Sequence, residues 1–132
     1  MKLLLDTHAL IWFYENAPEL SVQSKTAIED PANEPFASLT SFWEMSIKLG
    51  LGKMSISTSL EKFAEDVTNN GIQLLPVEMK HIVHYQTLPF HHRDPFDRMI
   101  VAQGLVEGMN IVSIDEIFDE YLKDSIVQRI WR

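Results

Sequence analysis

The chain of 132 residues contains no cysteine. That excludes a disulfide framework and any thiolate metal centre, and it fits a reducing compartment. No apolar run approaches the roughly 18 residues that a membrane span needs. Leu3-Leu4-Leu5 and Ala9 to Tyr14 are interrupted by Asp6 and His8, and no small-residue cleavage site follows, so a signal peptide is not expected either. Low-complexity tracts and internal repeats are absent. Positive charge is scarce: 11 Lys and Arg stand against 19 Asp and Glu, for a net charge of −8. A broad electrostatic grip on nucleic acid is therefore disfavoured, since phosphate neutralisation normally needs a basic surface. The remaining composition, 45% hydrophobic and 23% charged, is that of a soluble globular protein. The length suits one domain over residues 1–132, and a cytoplasmic location is expected.

The pattern of elements predicts an α/β fold. Residues 2–5 form an unbroken apolar run like a buried parallel strand, and residues 7–14 read as a helix ended by Asn16-Ala17-Pro18. Ser21 caps a helix through about residue 30, and residues 36–39 are a short strand. Ser41 and Glu44 have capping-box spacing for a helix through about Leu49, as do Thr58 and Glu61 for a helix ended by Asn70-Gly71. A strand over 72–75 and a helix over about 78–85 follow. Asp94-Pro95 places Asp at N-cap and Pro at the first helical position, with a stop at Gly108. Residues 110–114 read as a buried strand, Asp115 as the opening of a helix through about Lys123, and 126–131 as an edge strand. Strands alternating with helices imply a three-layer α/β/α sandwich with a mostly parallel sheet. In such folds the site lies beyond the C-terminal ends of the strands, where Asp6 and Asp115 fall.

Four acids stand beside these apolar runs: Asp6, Glu44, Asp97 and Asp115. Helix capping or a favourable helix dipole explains each one singly. Taken jointly they are over-provided, because Ser, Thr or Asn caps as well. Gathering carboxylates costs free energy unless a cation lies between them, and hard oxygen donors suit Mg²⁺ or Mn²⁺. Asp94 is foremost an N-cap. Lys48 is one turn from Glu44 and pairs with it or meets a phosphate; Arg98 has the same two options. Ser113 is a strand-end hydroxyl able to hydrogen-bond a ligand. The five histidines lack metal-ligand spacing and are expected to be solvated or in the core, and Trp12 and Trp43 are expected in the core. Two rivals stay open: a non-catalytic acidic interaction module, and a Mg-dependent phosphatase using Asp6. The phosphatase is weakened by histidine at position 8, where such enzymes want a second acid.

Three segments together carry a family resemblance. They are Leu3-Leu4-Leu5-Asp6-Thr7-His8, Ser41-Phe42-Trp43-Glu44-Met45-Ser46-Ile47-Lys48 and the run from His92 to Gln103 containing Asp94-Pro95-Phe96-Asp97-Arg98. With Ile111 to Asp115 they resemble the PIN domain and, more narrowly, VapC-type toxins of bacterial toxin–antitoxin pairs. The resemblance implies a Mg²⁺- or Mn²⁺-dependent endoribonuclease with one or two ions. Asp6, Glu44, Asp97 and Asp115 would be its acidic cluster, assisted by Asp94. It further implies RNA as substrate, a homodimer, and a small antitoxin as partner.

Overall fold

A computed structural model describes residues 1–132. Five strands form one parallel sheet: β1 (Lys2–Leu5), β2 (Glu34–Ser38), β3 (Gln73–Leu75), β4 (Asn110–Val112) and β5 (Arg129–Ile130), in the order β3-β2-β1-β4-β5. All four pairings are parallel. Seven helices cover it: α1 (Thr7–Glu15), α2 (Val22–Glu29), α3 (Leu39–Gly50), α4 (Leu60–Asn69), α5 (Met79–Thr87), α6 (Pro95–Glu107) and α7 (Phe118–Leu122).

Strand alternation divides the core between the two faces. Leu3 and Leu5 point into a cluster with Ala9 and Leu10 of α1, Ile28 of α2, Met45 of α3 and Phe63 of α4. Leu4 points the other way, against Ile100 and Val101 of α6 and Phe118 and Leu122 of α7. All three leucines are fully buried, each contributing about 1.5–3 kcal/mol of burial. This is the expected three-layer sandwich. Helix α6 lies close to β4: a Cβ on Gly104 would stand 2.8 Å from Cδ1 of Ile111. It ends as expected at Gly108, whose φ of 68° suits a residue without a side chain.

The sheet order fixes where a site can form. From β1 the chain moves outward to β2 and β3, then returns to lay β4 on the other side of β1. The C-terminal ends of β1 and β4 therefore flank the switch point of the sheet, where crossovers diverge and leave a crevice. The backbone N–H of Asp6 donates to the carbonyl of Val112 across it, at 3.0 Å.

The expected strand at 110–114 stops at Val112 and that at 126–131 shrinks to Arg129–Ile130, and three helix starts differ from expectation. Ser38, not Ser41, caps α3, its Oγ accepting from the Thr40 N–H at 3.0 Å. Strand β2 pairs up to Ser38 and turns straight into the helix, which carries Ser41 and Glu44 into its buried interior. Ser59, not Thr58, caps α4. Asp115 does not open α7, which begins at Phe118; instead it closes a turn, Oδ1 accepting from the Ile117 N–H at 3.0 Å.

Candidate metal centre and its carboxylates

Each acid arrives on a different element. Asp6 follows β1 and caps α1, its Oδ1 accepting from the Ala9 N–H at 2.8 Å. Glu44 projects from the second turn of α3 and is buried. The Thr7 hydroxyl donates to its Oε1 at 2.7 Å and lies 2.9 Å from Ser41 Oγ. Lys48 pairs with its other oxygen. Asp94 caps α6, its Oδ1 accepting from the N–H groups of Phe96 and Asp97 at 2.8 and 3.3 Å. Asp97 occupies the first turn of α6 behind that cap. Asp115 follows β4, and its N–H donates to Ser113 Oγ at 3.0 Å. The Ser113 hydroxyl is close enough to the Asp6 carboxylate to favour its charged form, and the ends of β1 and β4 are tied by the Asp6 N–H on the Val112 carbonyl.

These side chains feel one another. Burial, then the fields of Asp94, Asp6, Glu44 and Asp115, push the Asp97 carboxyl up to about 8. Burial likewise raises Asp6, with Asp115 adding to the rise; bonds from Ser113 and the Ala9 N–H and the nearby His8 oppose it. The Glu44 carboxylate holds the Lys48 ammonium above its usual value, helped by Asp94 and Asp97. Lys48 is thus the local counter-charge and is already engaged. A set of hard oxygen donors, short of positive charge and with one carboxyl kept protonated at neutral pH, fits a divalent cation.

His92 was expected to be solvated or in the core, yet it reaches into this cluster. Its Nε2 lies 3.0 Å from Oδ2 of Asp115 and 3.2 Å from Oδ2 of Asp97. His-x₃-His spacing is the wrong signal for it; the usable one is its place two residues before an N-cap aspartate. Thr7 and Ser41, which brace Glu44, also escape sequence reasoning. Arg98 is a correction in the other direction. It is buried between the Tyr85 and Phe90 rings, 4.6 and 4.1 Å from their centroids, and its Nη2 donates to the Leu88 carbonyl. A side chain one position after Asp97 leaves the helix about 100° away, so Arg98 serves the packing of α5 on α6 rather than the carboxylates. Trp43 corrects a further expectation: it is 62% exposed, edge-on to Phe96.

The PIN domain family model matches residues 3–123. The chain belongs to the PIN domain family. Solved structures share the fold at low identity. The first, VapBC2 from Rickettsia felis bound to a DNA fragment from its promoter, aligns over 100% of both chains with a TM-score of 0.68 and 16% identity. VapBC-1 from nontypeable Haemophilus influenzae gives a TM-score of 0.64 at 18% identity, over 98% of this chain and 97% of that one. VapBC-5 from Mycobacterium tuberculosis gives 0.65 at 16%, over 99% and 98%. No curated protein matches the chain. As a PIN domain, the chain carries its acidic cluster at the sheet's switch point.

Proposed function

We propose that this PIN domain is a Mg²⁺- or Mn²⁺-dependent endoribonuclease, the toxin of a toxin–antitoxin pair, with Asp6, Glu44, Asp97 and Asp115 holding one or two ions. The observation that carries the reading is that capping accounts for only part of the cluster. Asp6, Asp94 and Asp115 accept from backbone N–H groups, whereas Glu44 and Asp97 accept from none. A buried Glu44 and a half-buried Asp97 that satisfy no backbone N–H, beside three acids that do, suit a cation ligand set better than an interaction module.

When bound, the cation acidifies water and offsets charge building on the phosphate oxygens. The chain supplies orientation. Thr7 and Lys48 fix Glu44, the Ala9 N–H fixes Asp6, and the Ile117 N–H fixes Asp115. Asp94 holds the first turn of α6 and so the position of Asp97. Bound cations reverse the local sign of the cleft, which lets an acidic protein accept a phosphate there. Lys48 can add a positive contact. Single strands and loops are the suitable substrates, because only exposed bases and phosphates reach a cleft of this kind.

A homodimer and an antitoxin partner belong to the same reading. Trp43, Met79, Ile82, Val83 and Phe90 are exposed on α3, α5 and the loop after α5; Trp43 and Ile82 line a cavity of about 580 Å³, and Met79, Ile82, Val83 and Phe90 line another of about 490 Å³. Faces of this kind are normally covered by a partner, and the solved relatives are VapB–VapC complexes. No helix is long and apolar enough to cross a membrane, in keeping with a cytoplasmic toxin.

The test is cleavage of structured and single-stranded RNAs with Mg²⁺, Mn²⁺ or EDTA, beside Asp97→Asn. Metal-dependent cutting that the variant lacks is the expected result. Equal cutting in EDTA would remove the metal from the mechanism.

A further inference from the structure

The geometry points to His92 as a positioning residue, whose Nε2–H clamps Asp97 and Asp115 together and so holds the two carboxylates at the spacing a shared cation needs. The inference rests on the metal-dependent reading above.

The ring's hydrogen bonds decide its role. The Asp94 N–H donates to His92 Nδ1 at 3.1 Å. That nitrogen is therefore the acceptor, and the proton of the neutral ring sits on Nε2. Nε2 is the atom facing the two carboxylates. A histidine that ligates a metal needs the opposite arrangement, with its lone pair toward the ion and its other N–H given to an acceptor. Here no acceptor stands at Nδ1; a donor does. The three side chains lie close enough for a common ion, yet the tautomer makes His92 a donor to the ligands rather than a ligand.

The ring is also held from behind. Its backbone N–H donates to the Tyr121 hydroxyl at 2.8 Å, and its edge meets Phe118. Both partners belong to the buried core of α7. The loop before α6 is thus pinned to the element that follows Asp115. His92 spans the two segments, 91–97 and 113–117, that bring Asp97 and Asp115 from opposite sides. Partners that orient metal ligands in this way typically govern affinity by about 10–100-fold.

Two substitutions separate the clamp from the cap. Asparagine keeps an acceptor where Nδ1 stands, so His92→Asn retains the Asp94 contact and loses reach to the carboxylates. Glutamine is longer, and His92→Gln returns an N–H donor near the Nε2 position. Mn²⁺ binding by calorimetry, with thermal denaturation in EDTA as a folding control, reads both. The expected result is Mn²⁺ affinity lowered roughly 10–100-fold in His92→Asn and largely restored in His92→Gln, with similar melting of all three metal-free proteins. Unchanged affinity in His92→Asn would overturn the clamp while leaving the metal reading intact. So would a strong ¹⁴N coupling in the electron-spin-echo spectrum of wild-type Mn²⁺ protein, which marks a directly bonded imidazole. Absence of any Mn²⁺ binding by the wild type would overturn the metal reading itself, and the clamp with it.

Discussion

Two clusters in this protein have the same members and opposite characters. At the start of α5, His81 takes the Glu78 N–H on Nδ1 at 2.9 Å and faces Glu107 with Nε2 at 2.7 Å. At the start of α6, His92 takes the Asp94 N–H on Nδ1 and faces Asp97 and Asp115 with Nε2. Each is a histidine that secures a helix start with one nitrogen and meets carboxylate with the other. Around His81 the charges are balanced. Lys80 lies 3.1 Å from Glu107, and hydrogen bonds from His81 and then Lys80 hold the Glu107 carboxyl below its ordinary value. Around His92 they are not: five carboxylates share one lysine, and Asp97 is driven to about 8. A carboxylate cluster is structural when its counter-charges are built in, and ligand-seeking when they are missing.

The sharpest way to break the contrast is Asp97→Asn. RNA cleavage should fall by more than the roughly 10–100-fold that loss of an outer-shell partner costs, because Asp97 is itself a proposed ligand, while the metal-free domain stays folded. Full activity in a well-folded variant would remove Asp97 from the mechanism.

The next effect is on stability against pH. The folded state keeps the Asp97 proton to about pH 8, whereas the unfolded chain releases it near the ordinary aspartate value. This contribution to stability is therefore full below that value and is lost as pH rises toward about 8. Melting temperatures of the EDTA-treated protein should decline across that window, and Asp97→Asn should flatten the decline. Mn²⁺ should bind more tightly as pH rises through the same range, because binding displaces the proton. A flat melting profile would mean that the carboxylates are not starved of positive charge.

The balanced cluster should behave differently. His81→Leu strands the Glu78 N–H and removes the bond to Glu107, at a cost of about 1–3 kcal/mol in denaturant unfolding. Mn²⁺ affinity should not change, and a large change would erase the distinction between the clusters. Glu107→Gln gives the smallest effect, below about 1 kcal/mol, since Lys80 is largely solvated.

The difference between the two histidines also marks what is legible in sequence. Asp94-Pro95 and Gly108 announce the bounds of α6 because caps and stops are local chemistry. The run Leu3-Leu4-Leu5 announces a buried strand, and from strand–helix alternation the sandwich and its functional edge follow. The acids gather where the strand ends place them. What fails depends on distant partners. Ser38 displaces Ser41 as the cap of α3 because β2 stays paired until its last residue, which no capping pattern records. Trp43 follows a helical apolar pattern yet stays largely exposed, meeting Phe96 of α6 at one edge and an open cavity beside Ile82 and Met99 elsewhere. Arg98 turns to Tyr85 and Phe90, thirteen and eight positions earlier, instead of to the neighbouring Asp97. His92 acquires its role only when the segment after β4 comes beside it.

The sheet order has a consequence for the time at which the cleft exists. Strand β1 and its acid leave the ribosome first, and β2 and Glu44 can join them early. Strand β4 and Asp115 come from the last part of the chain, yet β4 is the direct neighbour of β1. Contacts so remote in sequence close late in folding. A nascent chain therefore carries Asp6 and Glu44 without the rest of the cluster until β4 and Asp115 have followed them out, and the cell does not meet the assembled cleft before then.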